Sequence, residues 1–199
     1  MRRVLLIALC FVLLLSTAVL AAYNPDAKVA IHIRAHNAKL GCDYGTIVDC
    51  HDIVYSFTGE SIDAFPVFWD LTEYLGCEYA ITWPEAWGTA AWNNCADLVI
   101  GEITSPGMGA SHTWLGGCKT GVMVPSFLWL YAGSSGLICP IGHPQHGKIY
   151  VLSCHDVQEA VRTDRWGCAG LNGATVPVAP CDLPAVTPTT WGEIKSLFQ

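Results

Sequence analysis

The chain has 199 residues, a formal net charge of −7, 52% hydrophobic residues and only 14% charged residues. This balance excludes a disordered segment, which needs low hydrophobicity and high charge. Ten Lys plus Arg scattered among 17 Asp plus Glu leave no basic patch for nucleic acid or for an anionic membrane surface.

The first element is a leader. Arg2 and Arg3 precede an unbroken apolar run from Val4 to Leu15, and Val19-Leu20-Ala21 places small residues at the −3 and −1 positions of a cleavage site. This predicts a signal peptide over residues 1–21 and a secreted product, extracellular or periplasmic. The apolar run is short against the roughly 20 residues of a bilayer span. No later segment is long and apolar enough to span, so no membrane span is expected after cleavage. Loss of Arg2 and Arg3 takes the net charge from −7 to −9. About 178 residues remain, enough for one domain with a core.

Strand patterns follow. KVAIHIRAH (Lys28 to His36) alternates with period two, Val29, Ile31, Ile33 and Ala35 against Lys28, His32, Arg34 and His36, which predicts a half-buried strand. AFPVFWDL places Phe65, Val67, Trp69 and Leu71 on one face. Cys77, Tyr79, Ile81 and Trp83 repeat the pattern in the next segment. Further strands are predicted at 97–104, 111–115, 122–131, 136–139 and 147–154, separated by Ser105-Pro106-Gly107, Gly116-Gly117, Gly133-Ser134-Ser135-Gly136 and His143-Pro144. Many short strands with regular breakers predict an all-β, disulfide-stabilised β-sandwich of jelly-roll or Ig-like type over residues 22–171. Asp156 to Arg165 reads as a short helix or a polar loop. Residues 172–188, with four prolines, read as an extended linker lying on or beside the domain. Residues 189–199 read as an amphipathic helix with Thr190 and Glu193 at capping-box spacing. Trp191, Ile194, Leu197 and Phe198 would line its docking side, for its own domain or for a partner.

Export makes the cysteines disulfide candidates. Ten cysteines become nine once Cys10 leaves with the leader, so one is left over. Pairing of sequence neighbours predicts Cys42–Cys50, Cys77–Cys95 and Cys118–Cys139, with Cys154, Cys168 and Cys181 unassigned.

Two resemblances rest on quoted stretches. The succession CEYAITWPEAW, ADLVIGEITSPG, VPSFLWLYA and GKIYVLSC resembles the cohesin-type sandwich over Lys28 to Cys154, which implies a protein-binding or surface-display module rather than an enzyme. AYNPDAKVAIHIRAHNAKLGC, DAFPVFWDL and TTWGEIKSLF resemble a group of secreted bacterial proteins, a likeness that carries no chemistry.

Three site readings are open. Trp87 and Trp92, in a loop after Pro84, either close one end of the sandwich or stack on sugar rings as an exposed platform. His143, His146 and His155 lie close in sequence and suggest zinc or copper, because imidazole binds both. The bland alternative is histidines in a Pro-Gly loop. His32 and His36, about 13 Å apart along a strand, are too distant to share one ion. Asp52, Glu60, Asp63, Asp70 and Glu73 are available for a glycosidase pair but read as surface or turn carboxylates. No G-x-S-x-G elbow or phosphate loop occurs in the sequence. The leading expectation is a non-catalytic binding or surface-assembly module with a protein or glycan partner at the cell surface. A metal-binding protein or metallo-hydrolase and a carbohydrate-binding module are the alternatives.

Overall fold

The computed structural model describes residues 22–184. The predicted leader and the tail helix bearing Trp191, Ile194, Leu197 and Phe198 lie outside the described residues. In chain order the strands are β1 (Lys28–Ala35), β2 (Ser56–Phe57), β3 (Ser61–Trp69), β4 (Gly76–Thr82), β5 (Gly88–Asn94), β6 (Leu98–Gly101) and β7 (Gly109–Thr113). They continue with β8 (Ser126–Tyr131), β9 (Gly136–Ile141), β10 (Ile149–Leu152), β11 (Gln158–Val161), β12 (Trp166–Gly167) and β13 (Ala169–Leu171). Three short 3-10 turns are the only helical elements among the described residues. One sheet runs β12-β1-β3-β8-β5; the other runs β11-β10-β4-β9-β13-β2, with β7 also paired to β4 and β6 to β7. The two sheets form a β-sandwich.

Period-two patterning builds the interior. Val29, Ile31 and Ile33 of β1, Ile62, Ala64 and Phe68 of β3 and Leu128 and Leu130 of β8 meet Cys77, Tyr79 and Ile81 of β4 between the sheets. Trp83 continues that inward row, as its spacing predicts. Pro66 has no amide proton to give. It falls where the β3–β8 ladder stops at Ala64 and before the isolated bridge from Phe68 to Met123.

β1 departs from the half-buried expectation, because its second face is covered too. Ala30, Phe65, Val67, Trp69 and Phe127 form a smaller core on the outside of the five-stranded sheet with Ile47, Ile53, Val124 and Leu183. The segment after β1 folds back over the sheet to make it, and the Val54 N–H donates to His32 Nδ1 at 3.1 Å. The end of the segment read as a linker reaches the same face, where Leu183 is buried in the small core. Two further sequence readings change. Gln158–Val161 is a strand, paired to β10 in full register, and not a helix or loop. Gly88–Asn94 is an edge strand on β8, with a bulge between Thr89 and Ala91. Its Gly-Thr-Ala-Ala composition has little intrinsic strand preference, so the partner strand and not local propensity decides it.

The cysteine pairing is corrected throughout. The bridges are Cys42–Cys95, Cys50–Cys181, Cys118–Cys154 and Cys139–Cys168, and among the described residues the free cysteine is Cys77. Cys77 cannot reach Cys95, because it points into the interior from β4 and is buried. Cys95, just past the end of β5, packs instead at the small outer core. Cys42 and Cys50 share one irregular segment but are drawn to different elements, the end of β5 and the last 3-10 turn.

His32 and His112 are buried in this framework. His112 of β7 and Tyr79 of β4 meet at 3.1 Å between Nε2 and the phenol oxygen; that oxygen lies 2.6 Å from Ser126 Oγ, and His112 Nδ1 lies 2.9 Å from Asn94 Oδ1. This polar chain joins the two sheets with each member partnered, which is what a buried polar group requires. Burial pushes His112 down to about 4. His32 is also pushed down to about 4, by burial first and by the Arg34 charge second.

Two predictions follow from this architecture. The Cys50→Ser/Cys181→Ser double variant removes a bridge spanning 131 residues and should lose about 5 kcal/mol in urea unfolding. Both histidines take up protons in the unfolded chain near 6.5 but in the fold only near 4. Stability is therefore full above pH 6.5 and falls as pH drops to 4, His112 alone contributing about 3 kcal/mol. An NMR titration should show both imidazoles still neutral at pH 5, and titration of either near 6.5 would contradict the assignment.

Candidate functional site

The outer face of the five-stranded sheet is covered over one half and open over the other. A rigid polar and aromatic cluster occupies the boundary. Arg34 of β1, Asp63 of β3 and Trp129 of β8 form one cross-strand row, because the registers pair Arg34 with Asp63 and Asp63 with Trp129. Period two then points all three side chains to the same face.

Asp63 anchors the row. Its side chain is fully buried, and its carboxylate accepts from Arg34 Nε at 3.1 Å, His36 Nδ1 at 2.6 Å and the Asn37 N–H at 3.3 Å. A buried carboxylate is tolerated only with such partners. Here they also set the geometry of everything around it. The hydrogen bond between His36 Nδ1 and Asp63 Oδ1 fixes the orientation of the imidazole ring. His36 then lies flat on Trp129, with ring centroids 3.9 Å apart and planes 2° apart. Trp129 is held in turn by its Nε1–H, which donates to Ser61 Oγ at 3.0 Å. Tyr131 continues the aromatic row at 5.6 Å from Trp129 and is half exposed.

Arg34 ties the returning segment to this cluster. Its guanidinium donates to the carbonyls of Asp43 and Gly41 and rests over the Phe65 ring at 4.7 Å. Between that segment and the sheet runs a shallow groove of about 280 Å³, lined by His36, Gly41, Asn93, Phe127 and Trp129. The arrangement offers a flat aromatic surface, an imidazole of fixed orientation and an open neighbouring groove. The described residues place no serine, threonine or cysteine nucleophile in hydrogen bond with His36.

The residues singled out from sequence fall elsewhere. Trp87 is 4% exposed, and its Nε1–H donates to Ser134 Oγ. Trp92 packs partly buried against the main core, edge-on to His112 at 6.0 Å between ring centroids. The exposed platform read on these two is therefore corrected: they close the core, though without the Cys77–Cys95 tether. The three histidines divide. His143 and His146 stack at 5.2 Å in the connection between β9 and β10, and His146 Nε2 lies 3.0 Å from Glu78 Oε2. His143 is pushed down by burial first and by His146 second. His155 lies instead beside Glu73 at 3.4 Å and stacks on Tyr23. No group of three convergent donors among the described residues contains His143 or His146.

Sequence reasoning placed Asp63 among the solvated carboxylates, and the structure buries it. The signal was an acid inside SIDAFPVFW, flanked on both sides by apolar residues. An acid there needs a cation or several N–H groups, and Arg34 and His36 stand on the adjacent strand. The pairing of β1 with β3 was the missing fact.

No family model and no curated protein matches the chain. Among solved structures it is similar to a cohesin module from a family 33 glycoside hydrolase of Clostridium perfringens, at 12% identity and a TM-score of 0.48, over 73% of this chain and 96% of that one. It is also similar to a type II cohesin domain from the cellulosome of Acetivibrio cellulolyticus, at 7% identity and a TM-score of 0.46, over 75% of this chain and 96% of that one.

Proposed function

We propose that this chain is a secreted, non-catalytic binding module that docks a protein partner at the cell surface through the open half of its five-stranded sheet. The observation that carries the reading is the His36–Trp129 stack, locked by the fully buried Asp63 carboxylate. Side chains already fixed before binding lose little rotamer freedom when a partner arrives. Trp, Tyr and Arg are the residue types that dominate interface energetics, and Trp129, Tyr131 and Arg34 stand together here. Four disulfides suit an oxidising compartment. No helix among the described residues is long and apolar enough to cross a membrane. The tail face of Trp191, Ile194, Leu197 and Phe198 is proposed as a second attachment point, docking on a partner groove.

The test is binding of labelled mature protein to cells of the producing organism, before and after their surface proteins are removed by protease. Trp129→Ala and Tyr131→Ala should each weaken binding at least tenfold, the effect expected of an interface hot spot, while circular dichroism stays unchanged. Protease treatment of the cells should abolish binding, and deletion of residues 189–199 should weaken it independently. Unchanged affinity in both aromatic variants would remove this face from the interaction. Binding that survives protease and is competed by soluble glycans would replace the protein partner with a carbohydrate.

A further inference from the structure

The tripeptide Cys-His-Asp occurs twice, at Cys50-His51-Asp52 and at Cys154-His155-Asp156. In both places its cysteine is disulfide-bonded to a cysteine whose residue is exposed, Cys181 and Cys118 respectively. The two groups of three convergent metal-ligand side chains among the described residues fall at these two bridges. The first is Cys50, His51 and Cys181, where His51 is turned toward Asp49 on the surface. The second is better built.

At the second bridge Glu73 reaches across from the turn before β4. The ligand atoms of Glu73, Cys118 and Cys154 all lie within 4.8 Å of one another. Glu73 Oε2 is 3.9 Å from Cys118 Sγ, and Glu73 Oε1 is 3.4 Å from His155 Nε2. A tetrahedral zinc ion with two thiolates, one imidazole and one carboxylate has donor–donor separations of about 3.3–3.8 Å, from bond lengths of about 2.0–2.3 Å. The two separations to Glu73 are already close to that range. Two changes are needed: the disulfide, whose sulfurs are bonded at about 2.05 Å, must part, and His155, which lies outside the group of three, must move in toward the sulfurs. Cys118 lies in a loop flanked by Gly116, Gly117 and Gly121, the last two at positive φ, so backbone freedom is available on that side. The opposite side is firm: Ser153 is fully buried, and its Oγ accepts the N–H groups of His155 and Val157. His155 is more than half exposed and completes the set by rotating its side chain.

We infer that Cys118, Cys154, Glu73 and His155 form a redox-gated zinc site, closed as a disulfide and opened by reduction. A dithiol reductant supplies two electrons and two protons, the S–S bond breaks to two thiols, and the dithiol leaves as its own disulfide. Zinc then displaces both thiol protons, while the Glu73 carboxylate and a His155 imidazole nitrogen bind through their lone pairs. The donor set is of the structural, closed type. Zinc takes over the cross-link between the loop after β7 and the turn after β10, so this end of the sandwich stays joined in both redox states. This inference stands apart from the partner-binding face and does not depend on it.

The test uses the full mature protein, titrated with a phosphine reductant to the point where differential alkylation and peptide mapping label Cys118 and Cys154 but not the other bridges. Zinc should then bind at one equivalent and protect both cysteines from alkylation. Cobalt in its place should show the absorption of a tetrahedral thiolate site. Glu73→Ala and His155→Ala should each weaken zinc at least tenfold, since even outer-shell changes cost 10–100-fold. The oxidised protein should not take up zinc at these residues. If opening the bridge unfolds the chain, zinc should restore the strand circular dichroism. Alkylation of Cys118 and Cys154 unaffected by zinc, protection of Cys50 and Cys181 in their place, unchanged affinity in both variants, or a reduced chain that zinc does not refold would each overturn the assignment.

Discussion

The central pair of strands, β1 and β3, is buried on both faces, and the rest of the molecule is arranged around that requirement. The inner faces are served by the opposing sheet. The outer faces have no third sheet, so irregular chain must cover Ala30, Phe65, Val67 and Trp69. Irregular chain makes a weak cover, because it brings few ladder hydrogen bonds and loses much conformational freedom on ordering. Two cross-links offset that cost. Cys42–Cys95 fastens the segment after β1 to the end of β5, and Cys50–Cys181 fastens it to the last 3-10 turn.

The cover stops partway up the sheet, and the binding face arises at its edge. Asp63 lies at the margin, one row beyond Phe65, where an acid is shielded from solvent and still reached by donors from β1 and from the returning chain. Its burial and its bonding explain one another: three charged or polar donors make the buried charge tolerable, and the buried charge fixes those donors in place. The rigidity of His36 against Trp129 is thus a consequence of how the small outer core ends. A similar economy holds between the sheets, where the chain from Asn94 through His112 and Tyr79 to Ser126 is satisfied internally, its last three members buried.

The cysteines divide by environment. Cys77 is enclosed by the main core, and burial, with Glu78 adding to it, raises its thiol well above the ordinary range, so it behaves as a small hydrophobic side chain. Cys118 and Cys181 belong to exposed residues, each bridged to a cysteine that is followed by a histidine. The buried Cys77 thiol is closed off from exchange chemistry.

The sequence alone determined the strands with regular alternation, the inward row of Cys77, Tyr79, Ile81 and Trp83, and the all-β class. Each is a local property, since a period of two is complete within its own stretch of chain. Tertiary structure decided which cysteine was left over, that Gly88–Asn94 and Gln158–Val161 are strands, that Trp87 and Trp92 face the core, and that Asp63 is a buried anchor. Those outcomes depend on which strand lies beside which and on what covers a face. Pairing across 29 residues from Arg34 to Asp63, or 131 from Cys50 to Cys181, leaves no periodic trace in the residues between.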